Sequence, residues 1–119
     1  MNLKERILIF ISIVLILISI GILSDFIMIG QGTSMGDKYG RIGIADPTVD
    51  ASDLESGDFI TFTNECGDNI GHRIIKINGE WYTKGDGNSG VDAGDCYLFG
   101  FQDKSELDVN SRVIWSVGI

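Results

Sequence analysis

Residues Ile7 to Leu23 are apolar except for Ser12, Ser19 and Gly21, and the apolar stretch resumes after Ser24 and Asp25 with Phe26 to Ile29. No other feature narrows the possible folds of this chain as far. Seventeen helical residues span about 25 Å and twenty-three about 34 Å at the rise of an α-helix. A bilayer hydrocarbon core of roughly 30 Å falls between these values. The pattern predicts a transmembrane anchor over residues 7–29, with a short N-terminus (1–6) on one side and a body (30–119) on the other. A helix ending near Leu23, with Asp25 at the headgroups and Phe26 to Ile29 in the interface, fits the same residues. A cleavable leader fits less well, since its apolar stretch runs only about 7–15 residues and ends in small residues. No Ala-x-Ala pattern follows here. Lys4 and Arg6 precede the run, so the positive-inside rule puts the N-terminus in the cytoplasm and the body outside the cell membrane.

About ninety residues then remain for a folded body, enough for one domain with a small core. Beyond residue 30 the chain changes to short β-like runs separated by Gly, Asn and Asp, and no stretch keeps a helical period. Asp58 to Thr63 alternates, with Phe59, Thr61 and Thr63 on one side and Ile60 and Phe62 on the other. The clearest unit is His72 to Ile77, then Asn78-Gly79, then Glu80 to Thr83. Asn-Gly between strand-like runs is a strong hairpin signal, because both central positions of the tight turn need positive φ. Tyr97 to Phe101 and Arg112 to Val117 read as further strands. The polar stretch from Thr33 to Leu54 reads as a loop with a short strand at Arg41 to Ala45. The expected fold is mainly β: a single N-terminal transmembrane helix followed by a small antiparallel β domain.

The net charge of −8 comes entirely from the body, where seven basic residues face fifteen acidic ones. Such a surface repels nucleic-acid phosphate, so no nucleic-acid partner is expected. Twelve of the seventeen acids are Asp and Lys is sparse, a composition that leans towards adaptation to high salt. Cys66 and Cys96 lie on the side placed outside the cytoplasm, where a disulfide is chemically permitted. Two free thiols fit the sequence equally well. Two Cys and one His are too few for a structural zinc site, and neither metal nor cofactor is expected.

Three segments of the body carry chemistry. Gly32-Thr33-Ser34-Met35 supplies a hydroxyl close after the apolar run, His72 is the only imidazole, and Asp86 and Asp92 follow the hairpin. A serine hydroxyl is a weak nucleophile until a base takes its proton, and histidine suits that task near neutral pH. The imidazolium then needs a carboxylate on its other nitrogen. A two-residue turn pairs residue 77 with 80, so residue 72 falls opposite 85 and Asp86 comes near His72. Asp92 can return on the following loop. Each residue also has a plain reading: a linker serine, a structural histidine, and turn aspartates beside glycine.

Taken together, the segments resemble those of type I signal peptidases of the archaeal and endoplasmic-reticulum branch. That branch uses Ser and His where the bacterial branch uses Ser and Lys. Gly32-Thr33-Ser34-Met35 matches the segment carrying the nucleophile, and Ser56-Gly57-Asp58-Phe59-Ile60-Thr61-Phe62 is similar to the Gly-Asp strand that follows it. His72-Arg73-Ile74 matches the His-Arg-Val motif. Trp81-Tyr82-Thr83-Lys84-Gly85-Asp86-Gly87-Asn88 is close to the Thr-Lys-Gly-Asp motif, with Asp92 at the spacing of a further family Asp. The resemblance runs from the anchor to Gly118. It implies a β peptidase domain of the signal-peptidase type with Ser34 as nucleophile, His72 as base, Asp92 as triad acid and Asp86 as supporting carboxylate. It further implies a membrane-bound serine endopeptidase that removes signal peptides from exported preproteins at the outer face of the membrane, with preprotein signal peptides and the lipid bilayer as partners. Gly32 stands where the family carries a second serine, so the oxyanion would fall to backbone amides or Thr33. Two other readings stay open: a non-catalytic membrane-anchored β domain that binds a partner, and a self-cleaving Ser-Lys peptidase using Lys76 or Lys84.

Overall fold

The structure, a computed structural model, describes residues 1–30, 35–36 and 42–117. Among these, the chain forms one N-terminal apolar helix and a six-stranded antiparallel sheet. Helix α1 runs Leu3–Ser24 and buries no residue against the body. Its start is fixed by a capping box, in which the Asn2 side chain accepts from the Glu5 amide and the Glu5 carboxylate accepts from the Asn2 amide. The hydroxyls of Ser12, Ser19 and Ser24 donate back to the carbonyls of Leu8, Leu15 and Gly21. The helix thus satisfies its own polar groups, as a segment in hydrocarbon must. It is long and apolar enough to cross a membrane.

The helix stops before the full length expected from the apolar run. Asp25 and Phe26 close its last turn by donating to Ile22 and Leu23 carbonyls. Ile27–Ile29 then form strand β1 instead of continuing the anchor. β-branched residues favour this extended state, and a partner is present in β2 (Ile42–Asp46), which pairs Ile27 with Ile44 and Ile29 with Ile42. The segment read as a loop with a strand at Arg41 to Ala45 therefore has that strand one residue later, Arg41 lying outside the described residues, and adds a 3-10 turn at Ala51–Asp53.

Strands β3 (Phe59–Thr63), β4 (Asn69–Ile77), β5 (Glu80–Lys84) and β6 (Asp108–Val117) complete the sheet in the order β1-β2-β6-β3-β4-β5. The β4–β5 hairpin turns at Asn78 (φ 50°) and Gly79 (φ 81°), the left-handed pair that a two-residue turn demands. Its ladder runs from Ile77 opposite Glu80 to Arg73 opposite Lys84. Tyr97 to Phe101 makes no strand. Gly100 turns the chain at φ 64°, and Phe101 bridges to the sheet backbone by exchanging two bonds with Trp81, while the rings of Tyr97 and Phe99 pack edge-on against Phe62 and Tyr82.

Strand β6 carries two irregularities, an unpaired Ile114 opposite β2 and an unpaired Asn110 opposite β3. Extra residues of this kind bend a strand and tighten its twist. The sheet accordingly folds over: Met28 of β1, Ala45 of β2 and Phe59 of β3 meet with Met35 in one buried cluster, although β1 and β3 stand three places apart in the sheet. On the other face, Ile60, Phe62, Ile74 and Trp81 pack with Leu54, Phe101 and Leu107 as the larger core.

Cys66 and Cys96 are joined in a disulfide, with 5.0 Å between their Cα atoms. The Glu65 amide also donates to the Cys96 carbonyl. Together these tie the β3–β4 turn to the loop after β5.

Candidate functional site

The candidate site grows from the alternation of the β4–β5 hairpin. Successive residues of a strand face opposite sides. His72 and Ile74 of β4 therefore share the face of Ile60, and Thr83 of β5, opposite Ile74, joins them. All are buried. Asp92 returns on the loop after β5 and docks on Thr83 twice. Its amide donates to the Thr83 carbonyl at 2.7 Å, and its Oδ2 accepts from Thr83 Oγ1 at 2.7 Å. The same Oδ2 lies 2.6 Å from His72 Nδ1, with both side chains buried.

That pairing fixes the chemistry of the ring. An ionised carboxylate only accepts hydrogen bonds, so Nδ1–H donates to Oδ2 and Nε2 is left as the ring nitrogen that can act as a base. The arrangement can hold a general base in one tautomer and orientation.

Asp86 belongs to the other face. Both its oxygens accept from Arg73 Nε, at 2.9 and 3.0 Å, and Arg73 Nη1 donates to the Gly57 carbonyl. The guanidinium also stands over the Phe59 ring. The Asp86 amide contacts Met35 Sδ at 3.3 Å. The hairpin register does bring Asp86 to the level of His72, but alternation assigns it to the side of Arg73 and Lys84. It braces Met35 and the β3–β4 pair rather than touching the imidazole.

Ser34, with Gly32 and Thr33, lies outside the described residues. Met35, next in sequence, is buried against Met28, Ala45 and Phe59. It lines a groove of about 580 Å³ together with His72. The apolar part of the groove is formed by Ile27, Met28, Met35 and Ala45, and its polar part by Thr61, Asn69, Asn110 and Ser111. Thr61 and Ser111 share a hydroxyl–hydroxyl bond, and Asn110 Nδ2 donates to Thr63 Oγ1 and Asn69 Oδ1. Among the described residues no group of three or more His, Cys, Asp or Glu is arranged to hold a metal ion.

The two lysines considered for a Ser-Lys site are engaged elsewhere. Lys76 Nζ stands over the Trp81 ring, and Lys84 Nζ donates to the Gly85 carbonyl. Sequence reasoning missed two residues. Thr83 holds Asp92, and its signal was a hydroxyl on a strand face otherwise shared with Trp81. Arg73 holds Asp86, and period-two alternation past Lys84 would have found it.

Compared with protein-family models, with curated proteins and with solved structures, the chain finds no match in any of the three.

Proposed function

We propose that this chain is a membrane-anchored serine endopeptidase of the type I signal peptidase kind, acting through Ser34, His72 and Asp92. The observation that carries the reading is the buried His72–Asp92 pair, locked by Thr83 and opening on a groove that Met35 also lines. The motif resemblance supplies Ser34 and the substrate class.

On this reading His72 Nε2 takes the Ser34 Oγ proton as the oxygen attacks the scissile carbonyl. Asp92 stabilises the imidazolium. The ring then passes its proton to the leaving amine, the C–N bond breaks, and an acyl-serine ester remains. Water, deprotonated by the same nitrogen, releases the acid and restores the serine. Asp86 supports the site through Arg73 and Met35 rather than through His72.

The helix supports a substrate that is itself membrane-bound, namely a preprotein whose signal peptide ends in small residues. Confinement of both reactants to one surface raises their effective concentration and orients the encounter. Lys4 and Arg6 favour an N-terminus in the cytoplasm and a body outside, where the Cys66–Cys96 bond is chemically at home.

The test is cleavage of a preprotein by the full chain in vesicles, compared with Ser34→Ala and His72→Ala. Loss of cleavage in both variants is the expected result. Cleavage that survives both removes the triad. No cleavage by the unaltered chain favours the non-catalytic β domain, and survival of His72→Ala with loss in a lysine variant favours a Ser-Lys mechanism.

A further inference from the structure

Beside the groove, β6 breaks the alternation of a strand. Asn110 and Ser111 are consecutive, yet both line the groove. A regular strand sends neighbours to opposite faces. Asn110 is the residue left unpaired opposite β3, and an extra residue of this kind re-aims a side chain. Its carboxamide is turned across Thr63 to the start of β4. Asn110 Nδ2 donates to Thr63 Oγ1 at 3.0 Å and to Asn69 Oδ1 at 2.8 Å. Thr63 and Asn69 are partners in the β3–β4 ladder and share a face. Gly71, on that same face between Asn69 and His72, adds no side chain to fill the space. Asn69 and Asn110 are both exposed.

A carboxamide offers two N–H donors and one oxygen acceptor. Both Nδ2 hydrogens of Asn110 are engaged by Thr63 and Asn69. Asn110 Oδ1 and Asn69 Nδ2 bond to no other described residue. The two side chains therefore present one acceptor and one donor side by side on the groove wall. Turning both amides over exchanges these roles and leaves the same pair. A single group that donates and accepts at once satisfies both, and among side chains that group is another carboxamide.

The ladder sets His72 between two ends of the groove. Phe59 pairs with Arg73, Ile60 with His72 and Thr63 with Asn69. The apolar cluster of Met28, Met35 and Ala45 packs at the Phe59 end, and the two amides meet at the Thr63 end. Small residues before a cut suit the apolar end, so the amide end faces the chain that follows the cut. Asn69 stands three residues from His72, about 10 Å along the strand, which is the reach of three residues of extended substrate. We infer that Asn69 and Asn110 read the third residue after the scissile bond and favour Asn or Gln there. The inference rests on the peptidase reading, which supplies the cut.

The test uses synthetic peptides that carry Ala-x-Ala before the scissile bond and either Asn or Leu, similar in shape, at the third residue after it. The full chain in vesicles should cleave the Asn peptide with a kcat/KM about tenfold above that of the Leu peptide, as two hydrogen bonds in a partly wet groove allow. The double variant Asn69→Leu with Asn110→Leu should bring that ratio close to one. The same Asn-to-Leu exchange at the first residue after the cut should give a ratio that the double variant does not move. Titration of both peptides against Ser34→Ala measures the preference without any cutting, and its Kd values should also favour Asn about tenfold. Equal rates and equal Kd values for the two peptides overturn the proposal, as does a preference that survives the double variant. Absence of cleavage by the unaltered chain removes the peptidase reading alone. With the Kd preference in place, the amide pair then stands as a peptide-reading site, and with equal Kd values both fall.

Discussion

Replacing Asp92 by asparagine removes a charge and keeps a shape. Both bonds described for this carboxylate fall on one atom, Oδ2, which accepts from His72 Nδ1 and from Thr83 Oγ1. An amide carbonyl in that place accepts both, and the ring keeps its tautomer. What disappears is the attraction between carboxylate and imidazolium. Charges about 4 Å apart at an effective dielectric of about 20 attract by about 4 kcal/mol. Each 1.36 kcal/mol is tenfold in rate, so preprotein cleavage by Asp92→Asn should fall about a thousandfold in kcat/KM. That is less than the roughly ten-thousandfold loss seen in serine peptidases when the amide also imposes the wrong tautomer. Stability should change by only about 1 kcal/mol, because a charge-assisted bond becomes a neutral one. The assay is cleavage by the variant in vesicles, with thermal unfolding run on the same preparation. Cleavage within about tenfold of the unaltered protein, with Tm unchanged, refutes the electrostatic role of Asp92. Loss of cleavage together with loss of the fold makes Asp92 a scaffold residue instead.

Thr83→Val keeps the shape of a buried side chain and removes the hydroxyl that orients Asp92; it should cost about 1 kcal/mol in denaturant unfolding and lower cleavage about tenfold. Reducing the Cys66–Cys96 bond, which closes a sequence separation of 30, should destabilise the body by roughly 3.5 kcal/mol on the chain-entropy account, and an unchanged denaturation midpoint under reductant contradicts this. A Cβ at Gly43 would overlap the Trp115 carbonyl oxygen and crowd Met28 Cε, so Gly43→Ala should cost about 1–3 kcal/mol in thermal unfolding.

Local rules made the hairpin readable. Asn78-Gly79 dictated the turn, the turn dictated the register, and the register ran on to Arg73 opposite Lys84. The face of each residue was legible in the same way, and alternation separates Asp86 from His72 once it is carried past Lys84. The pairing of Ile27–Ile29 with Ile42–Ile44 was not legible, because apolar residues continuing a membrane run look alike whether they extend a helix or start a strand. The fold-over of the sheet rests on two unpaired residues of β6, Asn110 and Ile114, which carry no mark in a single sequence. The Cys66–Cys96 bond depends on how the loop after β5 returns, a long-range matter that spacing leaves open. The docking of Asp92 on Thr83 depends on that same return.

In the proposed mechanism Ser34 and His72 work as one unit beside the membrane. Groups that share one catalytic task are non-additive: removing either costs about as much as removing both. The decisive measurement is therefore the cleavage rate of one preprotein by the full chain, Ser34→Ala, His72→Ala and the double variant in the same vesicles. Both single variants should lose nearly all activity, and the double variant should be no slower than either. Single losses that multiply in the double variant, or a single variant that cleaves at the unaltered rate, contradict that mechanism.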